Sequence, residues 1–167
     1  MIQERINIET PLKESGMNLN ESGDIVNWPQ THYVFVEKAG SIPKIAPDAW
    51  QTAIRLVPQL AEKNPISWRM SLYKMNPNVY RAGFVVAEKP TAVPAGLEYE
   101  LFEGGRYSRF VLTGPYSDLP AATRRVFEIV AQRGLVLKSD FCIESYVSDP
   151  RSTPEDKLVT EILIPTE

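Results

Sequence analysis

The sequence predicts an α+β fold: duplicated β-α-β-β units forming one antiparallel sheet, with two helices on one face and a ligand groove on the other. Three observations predict it. Strand-like and helix-like runs follow one order twice, the two halves share an offset of 73 residues, and 167 residues at 43% hydrophobic content suffice for one core.

Residues 1 to about 28 are polar and hold ESG twice, so they predict a loosely structured lead-in with one short strand at Ile6 to Ile8. The organisation expected is an N-terminal extension over 1–30 and one domain over 31–167, with repeat 1 over about 31–88 and repeat 2 over about 97–165. HYVFVEK is a strand ending at Ala39-Gly40. PDAWQTAIRLVPQLAEK then sets Trp50, Ile54, Val57 and Ala61 at helical spacing, with Pro47 at the start. Pro58 removes one backbone hydrogen bond, which predicts a kink or an early end. SWRMSLYK and YRAGFVVAE flank the turn MNPN and predict a hairpin. After KPTAVPAG, LEYELFEGGRYSRFVLTG predicts a second hairpin, turning at Glu103-Gly104-Gly105. LPAATRRVFEIVAQRG is a helix with an apolar stripe at Ala122, Val126, Ile129 and Val130 and a stop at Gly134. FCIESYVS and KLVTEILIP supply two closing strands.

The offset carries the repeat. It sets Tyr73 over Tyr146, Pro77 over Pro150, Pro47 over Pro120, Ala49 over Ala122, Ile54 over Phe127 and Val57 over Val130. A register shared by a helix and the strand after it fixes two like units meeting about a pseudo-twofold axis.

Composition narrows the function. A net charge of -3 and a pI near 5.3 leave no cation excess for phosphates, so no direct nucleic-acid partner is expected. The first residues lack a signal peptide's basic start and apolar core, and no apolar run reaches the roughly 20 residues of a membrane span. A cytoplasmic protein without membrane contact is expected. The single cysteine, Cys142, closes no intrachain disulfide, and the single histidine, His32, is too little for a metal site; we expect neither metal nor cofactor. A Cys142–His32 catalytic dyad is the formal alternative to two ordinary strand residues.

The stretch DFCIESYVSDP concentrates the chemistry. Alternation puts Phe141, Ile143 and Val147 on one face, toward the helix, and Cys142, Glu144 and Tyr146 on the other. Glu144 is then either an outward residue on an open sheet or the acid of a groove. The first half offers Ser71 and Tyr73 at the matching positions, so only one half carries the acid.

The combination of VPAGLEYELFEGGRYSRFVLTGPYSDL, IESYVSDP and the closing TEILIP resembles the gyrase-inhibitor-like small-molecule-binding domain, also found as the effector-binding domain of AraC-type and MerR-type bacterial transcription regulators. The resemblance covers about Thr31 to Pro165. It implies a groove for hydrophobic, often cationic, small organic molecules, with Glu144 as the acidic floor residue. Tyr146, Tyr73, Tyr107, Trp68, Trp50 and Tyr116 are the candidate ligand-binding aromatics, each also able to serve as packing. Glu161 is a second acid or an exposed residue. The function expected from the resemblance is stand-alone capture of such molecules; the first alternative is a hydrolase that opens cyclopropanoid alkylating natural products, with Glu144 orienting or deprotonating a water, and the second a protein-binding inhibitor of gyrase type. The residues upstream of the domain are too few and too polar for a DNA-binding helix-turn-helix.

Overall fold

Two residues, Pro29 and Gln30, separate the first two strands, and that short link dictates the shape of the sheet. The computed structural model describes residues 16–167; the strand expected at Ile6 to Ile8 lies outside them. The elements are β1 (Asn18–Trp28), β2 (Thr31–Ala39), α1 (Ile42–Ala61), β3 (Ile66–Lys74), β4 (Val79–Val86), β5 (Glu98–Phe102), β6 (Gly105–Thr113), α2 (Leu119–Gln132), β7 (Cys142–Tyr146) and β8 (Val159–Pro165). One antiparallel sheet runs in the order β1-β6-β8-β7-β3-β4-β2-β5. The α+β class and the two helices are as the sequence predicts.

In a flat sheet β1 and β2, six strands apart in that order, would be separated by about 29 Å. Three peptide units from Trp28 to Thr31 span at most about 11 Å. The sheet is therefore curled until its two ends meet. The link from β5 to β6 makes the same crossing in reverse, so the expected hairpin at Glu103-Gly104-Gly105 does not form. β5 pairs with β2 and β6 pairs with β1 and β8. Residues 18–28, expected as loose lead-in, form the strand that covers the free edge of β6.

Curling creates two cores. Inside the curl Tyr33, Phe35, Met70, Leu72, Phe102, Tyr107, Ile143 and Leu163 are buried against one another with no help from a helix. The outer face carries Val34, Val36, Ala82, Phe84, Phe110, Leu112, Ile162 and Ile164 against α1 and α2. α1 lies on β2 and β4, and α2 on β6 and β1. On a convex face two helices diverge, and the central strands β3 and β7 are left at the bottom of a cleft between them.

α1 begins at Ile42, earlier than the expected Pro47, and runs through Pro58 to Ala61. The carbonyls freed by Pro47 and Pro58 belong to Pro43 and Ile54, both exposed, so water can satisfy them. Its buried face is Ala49, Ala53, Leu56 and Leu60, one position off the stripe read from the sequence.

Candidate functional site

Strand parity, which groups Cys142, Glu144 and Tyr146, is correct, but the face is the outer one, beneath the helices. Phe141 and Ile143 point into the curl instead. The cavity of this structure lies between the helices, and the opposite side of the sheet, where the groove was expected, is filled by the curl's own core. The cavity has a volume of about 1240 Å³. α1 supplies one wall with Ala46, Pro47, Trp50 and Ile54; α2 supplies the other with Leu119, Pro120, Thr123 and Phe127; Tyr73, Tyr80, Glu144 and Tyr146 form the floor. The wall residues are related by the same offset of 73, Pro47 to Pro120 and Ile54 to Phe127, and that offset could have found Phe127 from Ile54.

Of the aromatics expected at the site, Trp50, Tyr73, Tyr116 and Tyr146 line this cavity. Tyr146 is edge-on to Trp50 at 5.5 Å and to Tyr116 at 5.7 Å. Tyr107 and Trp68 do not line it. Tyr107 is fully buried in the inner core and donates its hydroxyl to the Phe141 carbonyl at 2.7 Å. Trp68 reaches Ser145, on the inner side of β7, at 2.6 Å. Glu161 is partly buried, on the inner parity of β8, and pairs with Arg109 at 3.5 Å. No Cys142–His32 dyad is assembled: β7 and β2 are three strands apart, and His32 holds Tyr99 at 2.7 Å. Among the described residues no cluster could hold a metal ion, and no helix is long and apolar enough to cross a membrane.

Among the described residues Glu144 is the only acid on the floor. It keeps part of its surface open to the cavity, accepts a hydrogen bond from Tyr146 at 2.8 Å on Oε1, and makes no other hydrogen bond among the described residues. Burial pushes its carboxyl above the usual range, and the Tyr146 bond opposes that only in part. Tyr146 and Tyr80 stay protonated, because burial and then the Glu144 charge raise both phenols, Tyr80 to about 12. Burial likewise moves the Cys142 thiol up to about 12, so it is no nucleophile. Arg69, Arg124 and Glu128 also line the cavity. Of the remaining participants, Tyr80 gave no sequence signal beyond its place in a β-rich run, whereas the offset of 73 marked Ser71 as the counterpart of Glu144.

A family model described as the GyrI-like small molecule binding domain matches residues 24–167. The chain belongs to this family. No curated protein sequence matches it. The GyrI-like fold is also seen in the SAV2435 structure bound to tetraphenylphosphonium, at 15% identity and a TM-score of 0.70, covering 86% of this chain and 93% of that one. The EcmrR C-terminal domain is similar at 15% identity and a TM-score of 0.69, covering 91% and 98%. A hydrolase from Listeria innocua is similar at 12% identity and a TM-score of 0.58, covering 89% and 93%. At these identities the likeness is one of fold.

Proposed function

We propose that the cleft between α1 and α2 binds hydrophobic organic cations, with Glu144 as counter-charge and Trp50, Tyr116 and Tyr146 as aromatic walls. The observation that carries this reading is a single carboxylate, short of hydrogen bonds, on the floor of a large aromatic and aliphatic cavity. An ionised carboxylate there has lost hydration that one phenol replaces in part. An organic cation restores a partner, while aromatic faces add about 0.5–2 kcal/mol each by cation–π attraction. A neutral ligand of the same shape gains only the apolar term. The tetraphenylphosphonium bound by SAV2435, a protein of the same fold, supports the choice of probe.

Titration with tetraphenylphosphonium, followed by tryptophan fluorescence, tests it, with triphenylphosphine oxide as the neutral comparison. Glu144→Gln is expected to weaken the cation about tenfold or more, roughly 1.4 kcal/mol, and the oxide less than about twofold. Equal weakening of both ligands sinks the counter-charge. Cation affinity should also rise with pH as the carboxyl ionises, since only the charged form attracts.

A further inference from the structure

The first half of the chain has no acid on the floor, yet it reaches the acid of the second half. Ser71 and Glu144 are directly paired across β3 and β7, and they are separated by the same 73 residues that relate the two halves. The local axis therefore passes through this pair, and Ser71 stands where a symmetric site would place a second carboxylate. Ser71 is fully buried and its hydroxyl lies 2.7 Å from the Tyr146 hydroxyl and 2.6 Å from the Tyr80 hydroxyl. Trp50 Nε1 closes the group, 2.9 Å from the Tyr80 oxygen and 3.1 Å from the Ser71 oxygen.

Proton counting fixes the direction of every bond. An ionised carboxylate only accepts, so Tyr146 donates its one proton to Glu144. Ser71 must then donate to Tyr146, and Tyr80 to Ser71. The indole N–H only donates, and it ends the series at Tyr80. Four donors thus point one way, from α1 through β4 and β3 to the carboxylate on β7. The far end is an N–H that accepts nothing, so the series polarises the carboxylate's partner and does not drain protons from it. Aligned hydrogen bonds strengthen one another, and a charge-assisted bond at the end is the one that gains.

We infer that Ser71 is a positioning residue: through Tyr146 it holds Glu144 ionised, with Oε1 occupied and Oε2 turned to the cavity. The inference rests on the reading of Glu144 as the cation's partner, but part of its test needs no ligand. Other titratable and charged groups line the cavity or lie beside the acid. They are Tyr73 and Arg69 on β3, Cys142 on β7, Tyr116 before α2, and Arg124 and Glu128 on α2.

The experiment compares Ser71→Ala with Ser71→Thr, which keeps a hydroxyl, and Tyr80→Phe, which keeps the ring. Titration of the Glu144 side-chain carboxyl by 13C NMR should show its midpoint higher in Ser71→Ala and close to wild type in Ser71→Thr, with Tyr80→Phe between them. Ser71→Ala should weaken tetraphenylphosphonium about fivefold to tenfold at neutral pH and leave triphenylphosphine oxide within about twofold, as expected for a weakened charge-assisted bond. An unmoved carboxyl midpoint in Ser71→Ala overturns the inference, as does equal loss of both ligands, which would mark a collapsed floor. A moved midpoint without cation binding in wild type would reject the counter-charge reading and leave the role of Ser71 standing.

Discussion

Glu144 gives up water on the outer face of the sheet and receives one hydrogen bond in return, so its charged form is less favoured in the folded chain than in the unfolded one. The unfolded carboxyl titrates near about 4.3 and the folded one higher. Between those two values the folded state binds more protons than the unfolded state. Stability therefore falls as pH rises through that window and stays lower above it. Glu144→Gln keeps the acceptor for Tyr146 and removes the charge. It is expected to raise Tm at pH 7.5 by about 2–4 °C, the shift that roughly 1 kcal/mol produces in a domain of this size. The gain should shrink as pH is lowered toward the unfolded value, and calorimetry at several pH values checks it. A gain independent of pH would assign the effect to packing instead. Alternation, with its period of two, grouped Glu144 with Cys142 and Tyr146 in the sequence, but it could not say which side the helices cover, and the acid's place in a groove came from the family resemblance. The offset of 73 also marked Ser71 as the counterpart of Glu144, but not its bonds to Tyr80 and Tyr146, which depend on a register across β3 and β7 that no local pattern contains.

At the scale of elements the two helices differ in a way their sequences explain. α2 interrupts its cleft side, where Thr123 and Phe127 stand, with Arg124 and Glu128, so the stripe that packs on the sheet is readable and matches Ala122, Val126, Ile129 and Val130. α1 is apolar on two sides. One side, Ala49, Ala53, Leu56 and Leu60, packs on the sheet, and the adjacent side, with Trp50 and Ile54, faces the cleft. Periodicity reports that a helix is amphipathic but cannot divide a broad apolar arc between a core and a cavity. The division predicts opposite outcomes for neighbouring residues. Leu56→Ala, at 8% exposure, should lose about 2–4 kcal/mol of stability, seen as a lower midpoint in urea. Ile54→Ser, at 60% exposure, should stay within about 0.5 kcal/mol while weakening a bound hydrophobic cation severalfold. If Ile54→Ser unfolds the chain and leaves binding intact, the cleft wall is wrongly placed.

The whole molecule is held in its curl where its two ends meet, and there the sequence misled for a physical reason. A two-residue link rich in glycine between strand-like runs has the chemistry of a hairpin whether the strands pair with each other or with opposite ends of one sheet. Only the pairing of β1 with β6 and of β5 with β2 distinguishes the cases, and those partners are distant in sequence. Gly104 sits at the crossing with φ +75°, and a Cβ there would overlap the Trp28 carbonyl and lie 2.7 Å from the Pro29 carbonyl oxygen. Both are backbone atoms of the opposite crossing and cannot swing aside. Gly134, after α2, has nearly the same φ, +67°, with nothing within 4 Å of its Cβ position. Gly134→Ala therefore measures the conformational penalty alone, on the order of 1–2 kcal/mol. Gly104→Ala adds the overlap and should cost clearly more, about 3 kcal/mol or above, with lost near-ultraviolet dichroism from Trp28 and Tyr107 inside the curl. Equal costs for the two substitutions would mean that the two links do not press on each other and that the curl is closed by the inner core without this contact.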